Sequence, residues 1–240
     1  LLGDTALYHF HRGSSKEFWL SGVTSSFVIN GVTRVNSLQV NGLTQTVPTA
    51  YSIISLVTTG NVTASNFSQD RNLARLWDGD LAELIIYDQP LSDSLRDQVE
   101  QYLNNKYAPP VNLGADIIKT NLCPVIVHAQ KDWFTSYLWS TGATSDSLVV
   151  TNSGVYSVTV TNTFGYTSSD TISITYPLNQ VAASSSLCYG DTLVWSTGLD
   201  PGSYTFVWST GATTSAIDIT QAGTYSVTAT ENSCTGTAGT

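Results

Sequence analysis

Short runs of apolar and β-branched residues, separated by turn signals, fill the first third of this chain. Such runs, at residues 6–10, 27–29 and 52–57, predict β-strands. The turn signals between them are Asn30-Gly31, Asn41-Gly42 and Gly60-Asn61. Asn-Gly pairs favour tight hairpins, because both central residues of such a turn need positive φ. Residues 1–76 are therefore predicted to form antiparallel β-structure.

One later segment has the spacing of an amphipathic helix. Within residues 92–107 every fourth residue is apolar, so we expect one apolar stripe to face the core. The stripe consists of Leu95, Val99, Leu103 and Tyr107. Ser92 can cap the helix, Asp93 suits the positive end of its dipole, and Pro109-Pro110 ends it. Immediately before it, the apolar run 84–87 predicts a buried strand.

The second half of the chain contains two copies of one pattern. YLWSTGAT at 137–144 matches FVWSTGAT at 206–213, and GVYSVTV at 154–160 matches GTYSVTA at 223–229. Both matches have the same offset of about 70 residues, which is the size of a small β-sandwich. The order of strands and turns within each copy matches an immunoglobulin-like sandwich.

Each copy carries one tryptophan and one tyrosine that fit fixed positions of such a sandwich. Trp139 and Trp208 fit the buried tryptophan of the third strand. Tyr156 and Tyr225 fit the tyrosine that closes the corner before the sixth strand. We therefore assign all four side chains to the core and not to a ligand site.

Composition favours an exported protein and argues against two kinds of partner. Only 11% of the residues are charged, against roughly 25% in average soluble domains. The net charge is −9 without a basic cluster, which argues against nucleic acid and anionic lipid. No apolar run approaches the roughly 18 residues of a membrane span. The chain opens on Leu1 without a signal peptide, so we expect an interior piece of a longer precursor.

The sequence offers no constellation of catalytic residues, and we predict that the chain is not an enzyme. It contains no Gly-x-Ser-x-Gly elbow, no His-Glu-x-x-His and no phosphate loop. Glycosidases need paired carboxylates, whereas Glu83 stands alone in its run and is expected to have a structural role. No cofactor is predicted, although Asp78 and Asp80 in one turn leave a Ca²⁺ ion open as an alternative.

Two stretches of the first half resemble a known family. GDLAELIIYDQPLSD at 79–93 and VEQYLNNKY at 99–107 look like the end of a laminin-G/concanavalin-A-like lectin domain, in a form common in surface proteins of Bacteroidota. Such domains are jelly rolls larger than the segment that precedes the repeats, so the first strands are expected to be missing or to lie before Leu1. The resemblance implies a glycan-binding module, in which Trp19 is the candidate aromatic contact. A buried, structural Trp19 is the alternative.

The two repeats are similar to the immunoglobulin/PKD-like modules of the same bacteria. Such modules occur in adhesins, many of them exported by the type IX secretion system through a C-terminal signal that this chain does not contain. Similar repeats carry one cysteine in a Leu-Cys-x-Gly pattern and another after the tyrosine strand, which implies a Cys188–Cys234 disulfide. Cys123 is then expected to be a free thiol or to pair outside this chain.

The same resemblance implies a modification. Bacteria of this group O-glycosylate Asp-Ser/Thr-apolar sites of exported proteins, and this chain contains several such triplets. The candidate acceptors are Thr5, Ser147, Thr171 and Thr192.

The predicted architecture is all-β, with compact units laid end to end as separate bodies. Residues 1–110 are expected to form a partial concanavalin-A-like jelly-roll sandwich with one C-terminal helix. Residues 111–177 and 178–240 are expected to form two immunoglobulin-like sandwiches in tandem, the second of them truncated. The expected function is that of a non-catalytic adhesin segment that contacts glycan or another surface protein. The alternatives are a filament or secretion-associated subunit, and an accessory region of a larger secreted hydrolase.

Overall fold

A computed structural model of the protein describes residues 2–3, 18, 31–42, 44–58, 66–67, 79–178 and 190–239. The described chain is built from short strands and one helix, so it is all-β in class. Its contacts form two compact units. Unit 1 contains Leu1–Pro109 and Asn162–Tyr166, and unit 2 contains Pro110–Thr161 and Thr167–Thr240. The strands predicted at 6–10 and 27–29 lie outside the described residues.

Unit 1 contains a three-stranded antiparallel sheet in which β2 lies between β3 and β4. A separate short pair joins β1 to β5. The turn between β2 and β3 contains Asn36 and Ser37, with φ of 50° and 64°, a left-handed conformation that Asn tolerates well. The elements of unit 1 are β1 (Leu2–Gly3), β2 (Gly31–Val35), β3 (Leu38–Val40), β4 (Ile54–Thr58), β5 (Asn66–Phe67) and α1 (Asp93–Tyr107).

The predicted helix is confirmed, but the face that it buries is not the predicted one. The side chain of Ser92 caps α1 by accepting a hydrogen bond from the backbone N–H of Leu95 at 3.4 Å. The buried side chains of the helix are Arg96, Glu100 and Asn104, whereas in the predicted apolar stripe Leu95 is 49% exposed and Val99, Leu103 and Tyr107 are only half-buried. Both stripes repeat every four residues, so the period alone could not choose between them.

The buried strand predicted at residues 84–87 is wrong. These residues have no regular structure, and Leu84, Ile85, Ile86 and Tyr87 are all exposed. A strand forms only where a neighbour satisfies its backbone hydrogen bonds. In the part of the chain that the structure describes, no strand runs beside this segment.

Unit 2 contains two similar sandwiches, which we call repeat 1 and repeat 2. In repeat 1 the sheet β6-β11-β10-β8 packs against the pair β7-β9, and in repeat 2 the sheet β13-β15-β16 packs against the pair β12-β14. The strands of repeat 1 are β6 (Ile117–Ile118), β7 (Val125–His128), β8 (Phe134–Trp139), β9 (Ser147–Val150), β10 (Gly154–Asn162) and β11 (Thr167–Thr175). Those of repeat 2 are β12 (Leu193–Ser196), β13 (Thr205–Trp208), β14 (Ala216–Ile219), β15 (Ser226–Glu231) and β16 (Cys234–Gly239). This division of strands between sheets is the immunoglobulin-like arrangement.

One tryptophan occupies the same place in the core of each repeat. Trp139 and Trp208 are each 2% exposed. The indole N–H of Trp139 donates to the carbonyl of Ser145 at 2.9 Å, and that of Trp208 donates to the carbonyl of Thr214 at 2.7 Å. A buried indole needs such a partner, so the turn after each tryptophan strand is fixed by the tryptophan itself.

One tyrosine closes the same corner in each repeat. The hydroxyl of Tyr156 donates to the carbonyl of Asn152 at 2.9 Å, and that of Tyr225 donates to the carbonyl of Gln221 at 3.0 Å. Both bonds span four residues, which is the geometry of the tyrosine corner of immunoglobulin-like sandwiches. Both rings are partly buried and pack against the core.

The repeats are not the separate bodies that the sequence suggested. Their buried apolar side chains form one continuous cluster, and the two repeats lie in one compact unit. At the junction, Leu122 and Leu178 pack on Gly236 of β16. The hydroxyl of Tyr204 donates to the carbonyl of Thr120 at 3.3 Å across the same junction.

Candidate ligand-binding surface

The helix of unit 1 is anchored to its sheet by buried polar groups. The guanidinium of Arg96 donates to the hydroxyl and the carbonyl of Ser55, at 2.6 and 2.7 Å, and to the carbonyl of Val32 at 3.2 Å. Glu100 lies 3.5 Å from Arg96 and accepts hydrogen bonds from Ser37, at 2.5 Å, and from Ser55. These groups are satisfied by one another, which is the condition for burying charge.

Arg34 extends this network to the start of the helix. Its guanidinium contacts Asp93 at 2.8 Å, Asp97 at 2.5 Å and Glu100 at 3.8 Å. Burial lowers the pKa of Arg34, but its hydrogen bond to Asp97 and the charges of the neighbouring carboxylates outweigh this effect, so the pKa is raised. Burial and the charge of Arg34 lower the pKa of Arg96. The charged groups of this network pair with each other, so we infer that the network holds the helix against the sheet of unit 1.

Residues Asn162–Tyr166 complete the polar interior of unit 1. The side-chain amide of Asn162 donates to Asn104 Oδ1 at 2.7 Å. The hydroxyls of Tyr166 and Ser37 are hydrogen-bonded to each other, and burial raises the pKa of Tyr166. No sequence pattern indicates these contacts, because the paired residues lie far apart in the chain.

A surface of unit 1 combines exposed tyrosines with acidic and basic side chains, and we call it the tyrosine surface. It consists of Tyr51, Asp80, Glu83, Tyr102, Lys106 and Tyr107. Tyr51 is 61% exposed, and its hydroxyl donates to Asp80 at 3.1 Å. Tyr102, on the outer side of α1, is 49% exposed. The segment that starts at Gly79 carries both the Asp80 that accepts from Tyr51 and the Glu83 that accepts from Lys106.

Lys106 holds the helical end of the tyrosine surface in place. Its ammonium group lies 5.5 Å from the ring centroids of both Tyr102 and Tyr107, within cation–π range. It donates to Glu83 at 2.8 Å, and the hydroxyl of Tyr107 donates to the same carboxylate at 3.0 Å. The rings are therefore oriented by a lysine that both of them touch.

The electrostatics of this cluster keep both charged groups ionised. The hydrogen bond from Lys106 lowers the pKa of Glu83, and the hydrogen bond to Glu83 raises the pKa of Lys106. A general acid would need a raised carboxyl pKa. The arrangement therefore suits binding through ring faces and fixed charges better than proton transfer.

The described residues do not supply a set of ligands for the Ca²⁺ ion that the sequence left open. Asp78 lies outside the described residues, and Asp80 accepts a hydrogen bond from Tyr51. Over the described ranges, no group of three or more His, Cys, Asp and Glu side chains could hold a metal ion.

The disulfide assignment made from the resemblance is wrong. The structure bonds Cys123 to Cys234, with the Cα atoms 4.7 Å apart, so Cys123 is not free and Cys234 is not bonded to Cys188. Cys234 begins β16 at the tip of the β15-β16 hairpin, and Cys123 lies just before β7. The resemblance compares cysteines within one repeat, so it could not foresee a bond between repeats. Cys188 itself lies outside the described residues.

The remaining predicted site residues fall into three groups. Trp19 and Thr5 lie outside the described residues. Thr171 and Thr192 are exposed, as a modified side chain must be. Ser147 is half-buried, and its hydroxyl donates to Asp146 at 3.1 Å. Ser147 is therefore the least accessible of the described acceptors.

Repeat 2 also has a shallow groove of about 400 Å³. It is lined by Thr210, Ala212, Thr214, Ala216, Ile217 and Asp218. No aromatic side chain is among these lining residues, so the groove lacks the flat apolar contact that the tyrosine surface offers. As for membranes, none of the helices in the described ranges is long and apolar enough to span a bilayer.

Comparison with known proteins gives no family for this chain. No family model matches it, and no curated protein matches it. Among solved structures, it is similar to murine CEACAM1b at 11% identity, over 51% of this chain and 92% of that one, with a TM-score of 0.20. It is also similar to the N-terminal four Ig domains of Dscam1 isoform 4.4, at 15% identity, over 53% and 43% of the two chains, with a TM-score of 0.19.

A third similar structure is the Bacteroides ovatus mixed-linkage glucan utilization locus protein SGBP-B, solved in complex with a mixed-linkage heptasaccharide. The identity is 12%, over 53% of this chain and 42% of that one, and the TM-score is 0.24. This chain thus spans less than half the length of the Dscam1 and SGBP-B chains. The fold given above rests on the pairing of this chain's own strands.

Proposed function

We propose that this chain is a non-catalytic segment of a secreted or cell-surface multidomain protein, in which unit 1 binds glycan and unit 2 is a spacer. The observation that carries the proposal is the tyrosine surface. Its exposed rings, Tyr51 and Tyr102, stand beside the carboxylate groups of Asp80 and Glu83 and the ammonium group of Lys106. A protein-binding adhesin surface and an accessory region of a secreted hydrolase are compatible with the same segment.

The chemistry of the surface supports a polyhydroxylated ligand. A tyrosine ring offers a flat apolar face with a polar edge, which fits the C–H face of a pyranose ring. Carboxylates that remain ionised accept hydrogen bonds from sugar hydroxyls, and the ammonium of Lys106 can donate one. A small-ligand site usually combines apolar contacts with a few precisely placed polar groups.

The ionised state of Glu83 supports a role in binding without catalysis. A glycosidase uses one carboxyl group as an acid, with a raised pKa, beside a second carboxylate. The pKa of Glu83 is lowered by its hydrogen bond from Lys106, so this group is ionised and cannot supply a proton at neutral pH.

The disulfide supports an extracellular location. Disulfides persist in oxidising surroundings outside the cell and are rare in a reducing cytosol. The Cys123–Cys234 bond and the low share of charged residues both fit an exported protein. Export through the type IX secretion system belongs to the proposal and rests on the resemblance of the repeats alone.

A glycan array probed with the chain and with single variants tests the proposal. We expect binding to a defined set of glycans, with a roughly 5- to 150-fold loss of affinity in Tyr51→Ala or Tyr102→Ala, since stacking of a flat ligand on one aromatic ring, as known for nucleic-acid bases, contributes about 1–3 kcal/mol. Leu138→Ala, which truncates a similarly exposed side chain in unit 2, is the matched control, and its affinity for glycan should not change.

Two outcomes would contradict the tyrosine surface. Loss of binding in Trp19→Ala, with both tyrosine variants unaffected, would move the site to Trp19. If no glycan binds and electron microscopy shows ordered filaments of the chain, the structural alternative replaces the proposal.

A further inference from the structure

We infer that the Cys123–Cys234 disulfide carries mechanical load through unit 2, so that a pull on the two ends of this unit bypasses strands β7 to β15. The bond joins residues 111 positions apart in the sequence. Unit 2 consists of Pro110–Thr161 and Thr167–Thr240, so most of it lies between the two cysteines. The inference goes beyond the proposed function, because it does not depend on what unit 1 binds.

The order of elements defines the path that tension takes. From Pro110 the chain passes through β6 to Cys123, crosses the sulfur–sulfur bond to Cys234, and leaves along β16. All strands from β7 to β15 lie between the two cysteines. Tension applied at the ends therefore loads β6 and β16, and it does not stretch the tryptophan strands β8 and β13 between the two cysteines.

Without the bond, the same tension would pass through every strand in series. The sandwiches are held by hydrogen bonds and packing, which yield before a covalent bond does. A fully extended residue spans at most about 3.6 Å, so the closed loop shortens the fully stretched chain by about 400 Å. The bond thus makes unit 2 nearly inextensible.

The surroundings of the two cysteines hold both ends of the bridge in place. Leu122, next to Cys123, is 1% exposed and lies against Gly236, two residues beyond Cys234. The hydroxyl of Tyr204 donates to the carbonyl of Thr120 beside this contact. The packed junction therefore surrounds the bridge on both of its ends.

The test is to stretch the full 240-residue chain by its two ends with optical tweezers, before and after addition of a dithiol reductant. The reductant supplies two electrons and two protons, becomes a disulfide itself, and leaves Cys123 and Cys234 as thiols. We expect the fully stretched oxidised chain to be about 400 Å shorter than the reduced one. Because the fully stretched length does not depend on folding, the comparison holds even if reduction unfolds the chain.

Matched variants decide which cysteines close the loop. Cys188→Ser should keep the difference of about 400 Å, and Cys123→Ser should remove it. A bond between Cys188 and Cys234 would instead hide about 170 Å, and one between Cys123 and Cys188 about 230 Å. Either of these lengths, or equal lengths of the oxidised and reduced chains, would overturn the inference.

Discussion

Buried tyrosines make the stability of unit 2 sensitive to alkaline pH. Burial raises the pKa of both Tyr176 and Tyr204, and the nearby carboxylate of Glu231 raises that of Tyr204 further. The folded chain therefore holds the phenolic protons more tightly than the unfolded chain does. The resulting stability is complete below the ordinary tyrosine pKa of about 10 and is lost as the pH rises through the folded pKa.

We expect the urea midpoint of unit 2 to be constant between about pH 8 and 9 and to fall above about pH 10. Tyrosine fluorescence and circular dichroism at each pH would measure it. Tyr204→Phe should reduce the decline, because phenylalanine does not titrate. An equally steep decline in this variant would show that Tyr204 does not contribute.

For single residues, the sequence predicts the environment of some side chains and not of others. Trp139 and Trp208 could be placed in the core because each recurs at the same position of a repeated motif, and both are buried. The partner of Cys123 could not be found that way. A disulfide depends on which backbone segments meet in space, and the contact that brings Cys123 to Cys234 has no motif of its own.

Among the elements, α1 shows what periodicity can and cannot predict. Its position and its Ser92 cap follow from the sequence. The helix has two stripes of equal spacing, one apolar and one formed by Arg96, Glu100 and Asn104. The polar stripe is buried because the sheet supplies partners such as Ser55 and Val32. Such partners are invisible before the strands are placed, so the hydrophobic pattern gave the wrong face.

Substitutions on the two stripes of α1 should change the free energy of unfolding by very different amounts. Glu100→Ala should lower the free energy of unfolding of unit 1 by about 3–5 kcal/mol, because it leaves Arg96 buried without its carboxylate. Leu95→Ala, on the exposed stripe, should change it by less than about 0.5 kcal/mol. Urea unfolding followed by circular dichroism measures both. A larger loss in Leu95→Ala would support the face predicted from the sequence.

For the whole molecule, the repeat offset was enough to predict two sandwiches in tandem, but not their fusion into one unit. The junction uses Leu122, Leu178 and Gly236, which are common residue types at unremarkable spacings. Glycine at position 236 matters because its neighbours fill the space beside it. A Cβ there would lie 3.0 Å from Leu122 and 3.4 Å from Leu178.

Gly236→Val should therefore strain the junction and lower the free energy of unfolding of unit 2 by about 1–3 kcal/mol. Gly239→Val is the matched control on the same strand, because a Cβ there would meet Ser226 at an ordinary 3.5 Å. Chemical denaturation of both variants, with the disulfide intact, measures the difference. Equal losses in the two variants would mean that the contact with Leu122 and Leu178 is loose.

The covalent closure of unit 2 also changes what a protease can do to it. Cys123 and Cys234 enclose most of the unit in a ring. A single cleavage anywhere in that ring opens it but leaves both fragments on one molecule. Whatever is attached beyond either end stays attached after such a nick, and it is released only when a thiol also breaks the bridge.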